Sequence, residues 1–263
     1  MVYINNSKYF GDERFKHRVI HTKNSYTECI YCSKKADTRE HLPSKAFLRK
    51  PYPENLATLP ACYKCNNSFS EDELLVSLAI QMMKKEVFKE NYVFDSAFHE
   101  KFEDIRNFRK IEKIKNAIET NDLSEIDEAF RKVLTKLARG HAVWDLTIGY
   151  YEDYSNLGVE QPEVRMDYFF LDELSKEQVE EFTSNYCVTN EALPELGSRI
   201  YESRLRVFEK DNDNPELIVL WGIIQEGEYA YNCYKSEDTI EVKIIINDFL
   251  FAIIQIDDYK LTL

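Results

Sequence analysis

Glycine and proline are scarce, 7 of each in 263 residues, which excludes collagen-like repeats, flexible linkers and low-complexity tracts as descriptions of the chain. Long apolar runs are missing too. The longest, Ile218–Ile224 and Phe249–Ile254, stop far short of the roughly 18 residues a membrane-spanning helix needs, so no membrane association is expected. The opening residues MVYINNSKYF carry no basic start followed by an apolar stretch, hence no secretory signal is expected, and a cytoplasmic location is.

Positive charge is also in deficit: 34 Lys and Arg face 47 Asp and Glu, a net of −13. Over the whole chain that balance argues against a polyanion-binding protein. Residues 1–70 depart from it, with 12 basic against 6 acidic residues, leaving 22 against 41 for residues 71–263. A basic head precedes an acidic body, and only the head has the sign suited to phosphates. What the chain does have is a 44% hydrophobic and 13% aromatic composition, ample for the core of one large domain or two ordinary ones.

Four of the six cysteines form two CxxC pairs, Cys29/Cys32 and Cys62/Cys65, while Cys187 and Cys233 stand alone among apolar neighbours. In a chain without an export signal such pairs are expected to bind metal rather than form disulfides. Two knuckles offer four thiolates, which close a tetrahedron around a structural zinc. The 29 residues between the pairs are more than a compact zinc ribbon uses, so an element must fold between them. The lone cysteines read as buried free thiols.

Between and just after the knuckles stand Glu40 and His41, then Asn55 at the head of the apolar stretch ENLATLP, and Asn66 directly after Cys65. A CxxC pair, an acidic residue followed by His, a middle Asn, a second CxxC pair and a following Asn, in that order, resembles the HNH family of nucleases over about residues 26–75. The resemblance implies a two-stranded hairpin and a helix around one divalent metal (the ββα-metal fold), with the paired cysteines stapling hairpin to helix. It further implies DNA as the substrate, with an RNA-directed nuclease of the same kind as the alternative. Many members carry Asp where this chain has Glu40, and His where it has Asn66.

The chemistry of these residue types fits phosphodiester hydrolysis. A general base must take a proton from water, and a neutral imidazole suits it, which points to His41. Hard oxygen donors suit Mg or Mn, which points to Glu40 and the amide oxygen of Asn66. Asn67 is adjacent but points about 100° away on a helix. By the resemblance Asn55 orients His41; read alone, it caps or turns its loop. Glu71, Asp72 and Glu73 stand nearby, but Ser70 and Glu73 fit a capping box. Lys34, Lys35, Arg39, Lys45, Arg49, Lys50 and Lys64 supply a basic surface for nucleic-acid contact, although any of them singly reads as a solvated charge. His17 and His21 are expected to be exposed or phosphate-facing, and His99 and His141 have no partner motif.

Beyond the head, apolar spacing predicts helices from Leu74 to about Asn91, over about Phe98–Thr120, and over about Glu125–Arg139, the last opened by a Ser124–Asp127 capping box and stopped at Gly140. Further on, Val164–Leu171 reads as a strand, Lys176–Ser184 as a helix with a Ser175–Gln178 box, Ser198–Glu209 as a helix, Leu217–Gln225 as a strand, and Tyr229–Lys235 with Thr239–Ile246 as a hairpin over which Asn247–Ile256 returns. The expected architecture is α+β: a zinc-stapled nuclease module over residues 1–80, a helical segment over 81–140, and an acidic α+β domain over 141–263 that regulates through a protein partner or forms a homodimer. Restriction or phage defence is the expected setting. The competing expectation is a non-catalytic zinc-knuckle module that binds nucleic acid or protein.

Overall fold

The computed structural model describes residues 18–20, 28–53, 56–146, 163–183, 200–202, 205–211, 214–219, 221–235 and 239–257. Its elements are β1 (Arg18–Ile20), β2 (Thr38–Leu42), β3 (Ala57–Ala61), α1 (Tyr63–Ser68), α2 (Ser70–Phe88), α3 (Ser96–Glu103), α4 (Phe108–Thr120), α5 (Ser124–Leu146), β4 (Val164–Phe170), α6 (Lys176–Phe182), β5 (Ile200–Glu202), β6 (Leu205–Asp211), β7 (Asn214–Val219), β8 (Gly222–Gln225), β9 (Tyr229–Lys235), β10 (Thr239–Ile246) and β11 (Leu250–Asp257). The fold is α+β, with an antiparallel five-stranded sheet in the order β4-β11-β10-β9-β8.

Strand periodicity divides that sheet into two faces. Ile240, Val242, Ile244 and Ile246 of β10, with Leu250, Ala252, Ile254 and Ile256 of β11, face a core that also takes Val76, Ile80, Ile114, Phe130, Val133 and Leu137 from the helices. The intervening residues Ala230, Ile245 and Phe251 face the other way, onto Phe182 of α6 and Trp221. The sheet is therefore covered on one side by α2, α4 and α5 and on the other by α6, which is why β10 and β11 are nearly continuous in apolar residues. Phe47, between β2 and β3, joins the larger core. The residue-80 and residue-140 boundaries both fall inside helices, α2 and α5.

Several local expectations hold. The Ser175–Gln178 capping box is present on α6, and β9 and β10 form the expected hairpin. Others are corrected. Over Phe98–Thr120 two helices replace one, because the Asp104 side chain accepts from the Arg106 amide and starts a new turn. Residues 200–202 and 205–211 are strands, not helix; Arg18 to Ile20 pair with the first and β7 with the second. Helix α5 continues through Gly140 to Leu146. A side chain at 140 would bring a Cβ within 2.7 Å of Leu42 Cδ1, so glycine serves here to let α5 approach β2. At the start of α5, Asp122 rather than Asp127 accepts from the Ser124 amide, while Asp127 accepts from the Tyr168 hydroxyl at 2.6 Å and pairs with Arg131.

Candidate functional site

The first knuckle is a tight turn. The Ser33 amide donates to Cys29 O at 2.8 Å and the Cys29 amide to Lys34 O at 2.6 Å, with Ser33 left-handed at φ 57°. The Ile30 amide donates to Pro60 O at 3.1 Å, which lays this turn against β3. The second knuckle opens α1: Cys62 is its N-cap and its sulfur accepts from the Cys65 amide at 3.4 Å, while Asp37 accepts from the Tyr63 amide at 2.6 Å. The four thiol sulfurs of Cys29, Cys32, Cys62 and Cys65 converge within 4.8 Å of one another, and those of Cys32 and Cys62 are 3.7 Å apart.

Those distances fit zinc. A tetrahedron with Zn–S near 2.3 Å has edges of about 3.8 Å. The amide donated to Cys62 lowers its pKa to about 7, which favours the thiolate. Burial pushes Cys65 up, with the adjoining Cys32 and Cys62 adding to it, and burial likewise raises Cys29. The cluster could hold a zinc ion, and a cation is what would let the raised thiols ionise.

Strands β2 and β3 form an antiparallel hairpin with Glu40 opposite Leu59 and His41 opposite Thr58, and α1 follows after one residue. Alternation sends Thr38, Glu40 and Leu42 to one face of β2 and Arg39 and His41 to the other. Asn66 lies on the first side: its Nδ2 donates to Thr38 Oγ1 at 3.2 Å and to Arg39 O at 3.4 Å. Glu40 and Asn66 are thus drawn to one side of the strand, while His41 stands on the other, half-buried. Burial, with Lys45 adding to it, holds the His41 imidazole below its ordinary pKa, so the neutral form is favoured. Asn55 lies outside the described residues, as do Cys187, His17 and His21; Cys233 is buried in the main core.

Glu40 has a partner that sequence reasoning missed. It is buried, and Lys136 Nζ of α5 lies 2.8 Å from its Oε1. The same ammonium pairs with Glu73 of α2, whose other oxygen accepts from Ser44 Oγ at 2.9 Å, and the Phe69 ring lies 5.0 Å from Lys136 Nζ. Glu73 therefore does not form a capping box with Ser70: α2 begins without a side-chain cap, and burial raises the Glu73 carboxyl despite Lys136. The signal for Lys136 was its place on the stripe Ala129, Val133, Lys136, Gly140, where helical spacing calls for apolar residues.

All seven basic residues read as a nucleic-acid surface are exposed. Three of them have protein partners: Arg39 donates to Thr58 Oγ1 at 2.8 Å and Thr58 O at 2.7 Å, the Lys45 ammonium lies 5.2 Å from the centre of the Tyr52 ring, and Arg49 pairs with Glu228. Gln225 reinforces the last contact, accepting from the Arg49 amide at 2.7 Å and donating to Arg49 O at 2.9 Å. No protein-family model, curated protein or solved structure matches the chain. Among the described residues no helix is long and apolar enough to cross a membrane.

Proposed function

We propose that this protein is a metal-dependent endonuclease of the HNH kind that hydrolyses phosphodiester bonds in DNA. The observation that carries the reading is the convergence of four thiols where an antiparallel hairpin bearing Glu40 and His41 meets the helix bearing Asn66. Zinc at the thiols would fix the hairpin against α1, where six residues with no buried side chain have little else to hold them. Glu40 and Asn66 supply hard oxygen donors for Mg or Mn, which when bound would stabilise charge on the phosphate and the leaving oxygen. His41, kept neutral by burial and by Lys45, is the general base of this reading; it stands across β2 from Glu40 and Asn66, so the water it deprotonates is approached from the outer face of the strand. Lys34, Lys35, Lys45, Lys50 and Lys64 surround the hairpin and meet the backbone phosphates without reading sequence.

The test is plasmid nicking by zinc-loaded protein with Mg or Mn added or withheld. His41→Ala is expected to retain zinc and folding and to lose about 10²–10⁴-fold in cleavage rate; full activity in that variant rejects the assignment. Matched labelled DNA and RNA decide the substrate, with DNA expected to be cut faster. A second reading, a non-catalytic zinc-knuckle module that binds nucleic acid or protein, draws on the hold of Lys136 on Glu40; binding of DNA without metal-dependent cleavage by the wild-type protein would favour it. A role in restriction or phage defence belongs to the first reading, and a regulatory partner or second copy on the acidic C-terminal region to either.

A further inference from the structure

We propose that the protein forms a twofold dimer in which β4 pairs antiparallel with β4 of a second copy, centred on Met166, joining two five-stranded sheets edge to edge. The proposal is independent of the nuclease reading. The sheet ends at β8 on one side and at β4 on the other. Strand β8 is four residues long and its register slips between Ile223 and Gln225, the short, bulged form that keeps an edge from pairing. Strand β4 has seven residues, VRMDYFF, without proline or glycine, and runs in unbroken register against β11 from Val164 to Phe170. Among the described residues nothing pairs with its outer edge.

The ladder fixes which groups that edge presents. At one end of β4 the Asp257 amide donates to Glu163 O at 3.0 Å, and at the other the Leu171 amide donates to Phe249 O at 2.9 Å. Antiparallel residues alternate between hydrogen-bonded and non-bonded pairs, so Arg165, Asp167 and Phe169 bond to β11, while Val164, Met166, Tyr168 and Phe170 turn their N–H and C=O outward. The outward Phe170 amide is taken by the Glu173 carboxylate at 2.7 Å. Val164, Met166 and Tyr168 are left to pair.

Symmetry and charge then choose the register. A twofold axis at Arg165 or at Asp167 sets like charges directly opposite one another. An axis at Tyr168 calls on the Phe170 amide that Glu173 holds, and one at Val164 calls on an N–H at position 162, which is proline. An axis at Met166 meets none of these obstacles. It sets Val164 opposite Tyr168 and Arg165 opposite Asp167, twice each, the charges falling in the non-bonded pairs where side chains approach most closely. The Arg165 side chain is 57% exposed and reaches Asp257 at 2.7 Å, and its five N–H donors suffice for a second carboxylate. On the opposite face Val164, Met166 and Tyr168, half-buried at the margin of the main core, would be covered by their copies. This self-complementarity is what commits the edge to a second copy of the chain, an isologous pairing by strand addition.

The experiment is sedimentation velocity of the full chain from about 1 to 200 µM, with amide hydrogen exchange resolved by residue and folding checked by circular dichroism. Wild type is expected to pass from monomer to dimer over that range. The amides of Met166 and Tyr168 should gain protection as it does, while those of Arg165 and Asp167 are protected at every concentration. Arg165→Asp and Asp167→Arg each set like charges opposite one another, and each is expected to weaken self-association about tenfold or more. An equimolar mixture of the two variants is expected to restore it, because the introduced arginine then faces the introduced aspartate and one native pair is kept. Wild type that stays monomeric, single variants that associate as well as wild type, a mixture that associates no better than either variant alone, or a dimer that forms without added protection at Met166 would each overturn the proposal.

Discussion

Helix α1 buries none of its six residues, whereas β10 buries five of its eight. The two elements belong to one chain and are held by different physics. Strand β10 has neighbours on both edges and apolar contacts on both faces, so the hydrophobic effect fixes it whatever ions are present. Helix α1 is far below the length at which a helix persists by itself, and its contacts include a sulfur cap, the Asp37 carboxylate, the Asn66 amide on β2, Lys132 of α5 on the Ser68 carbonyl and the thiol cluster. Helix α1 depends on polar contacts and on the ion its thiols could hold, where the sheet depends on burial.

The largest test of that contrast is removal of the cluster. Cys62→Ser, or stripping of zinc with a chelator, is expected to abolish hydrogen-exchange protection at the amides of Ile30 and Asn66 while the amides of β10 and β11 keep theirs; equal loss in both regions would erase the distinction. A smaller, opposite effect is expected from Ile244→Ala. Truncating this fully buried side chain should cost about 2–5 kcal/mol of global stability, with or without metal, read from denaturant melts of zinc-loaded and zinc-free protein. The smallest concerns Asp127, which ties α5 to β4 through Tyr168. Its carboxyl is held below the ordinary value by the Tyr168 hydroxyl and by Arg131, so its contribution is present above the unfolded pKa near 4 and is lost as pH falls through the lower folded value. Asp127→Asn is therefore expected to cost about 1 kcal/mol at neutral pH, and the gap from wild type should narrow in melts as pH falls through the lowered folded value.

Local signals in the sequence survived folding best. A single turn brings together the sulfurs within each CxxC pair, and the Ile30 to Pro60 contact then brings the two pairs together; the Ser175–Gln178 box and the β9–β10 hairpin need only near neighbours. Tertiary contacts decided the rest. Residues 205–211 became a strand because 214–219 pair with them, and Gly140 did not end its helix because the nearby Leu42 requires a residue without a side chain there. At the candidate site, Glu40, His41 and Asn66 are legible as types in order, while the placement of Glu40 and His41 on opposite faces of β2 follows from strand alternation and not from the motif. Lys136 and Glu73 were hidden because a charged residue on a helix reads as solvated unless its position on the apolar stripe is weighed. No local signal announces the shared core that ties Phe47 of the head to the sheet, and both expected boundaries fall inside helices.

One contact reaches further than its size suggests. Gln225, at the end of β8, clasps the backbone of Arg49 from both its oxygen and its nitrogen and also donates to Pro51 O at 3.2 Å, while Glu228 in the following turn takes the Arg49 side chain. The connection between the two strands of the hairpin is thus moored to a part of the chain some 176 residues distant. An excised head would leave that connection adrift even with its sulfur cluster intact, so grafting this module onto another scaffold calls for a replacement mooring, not merely a clean cut after the second knuckle.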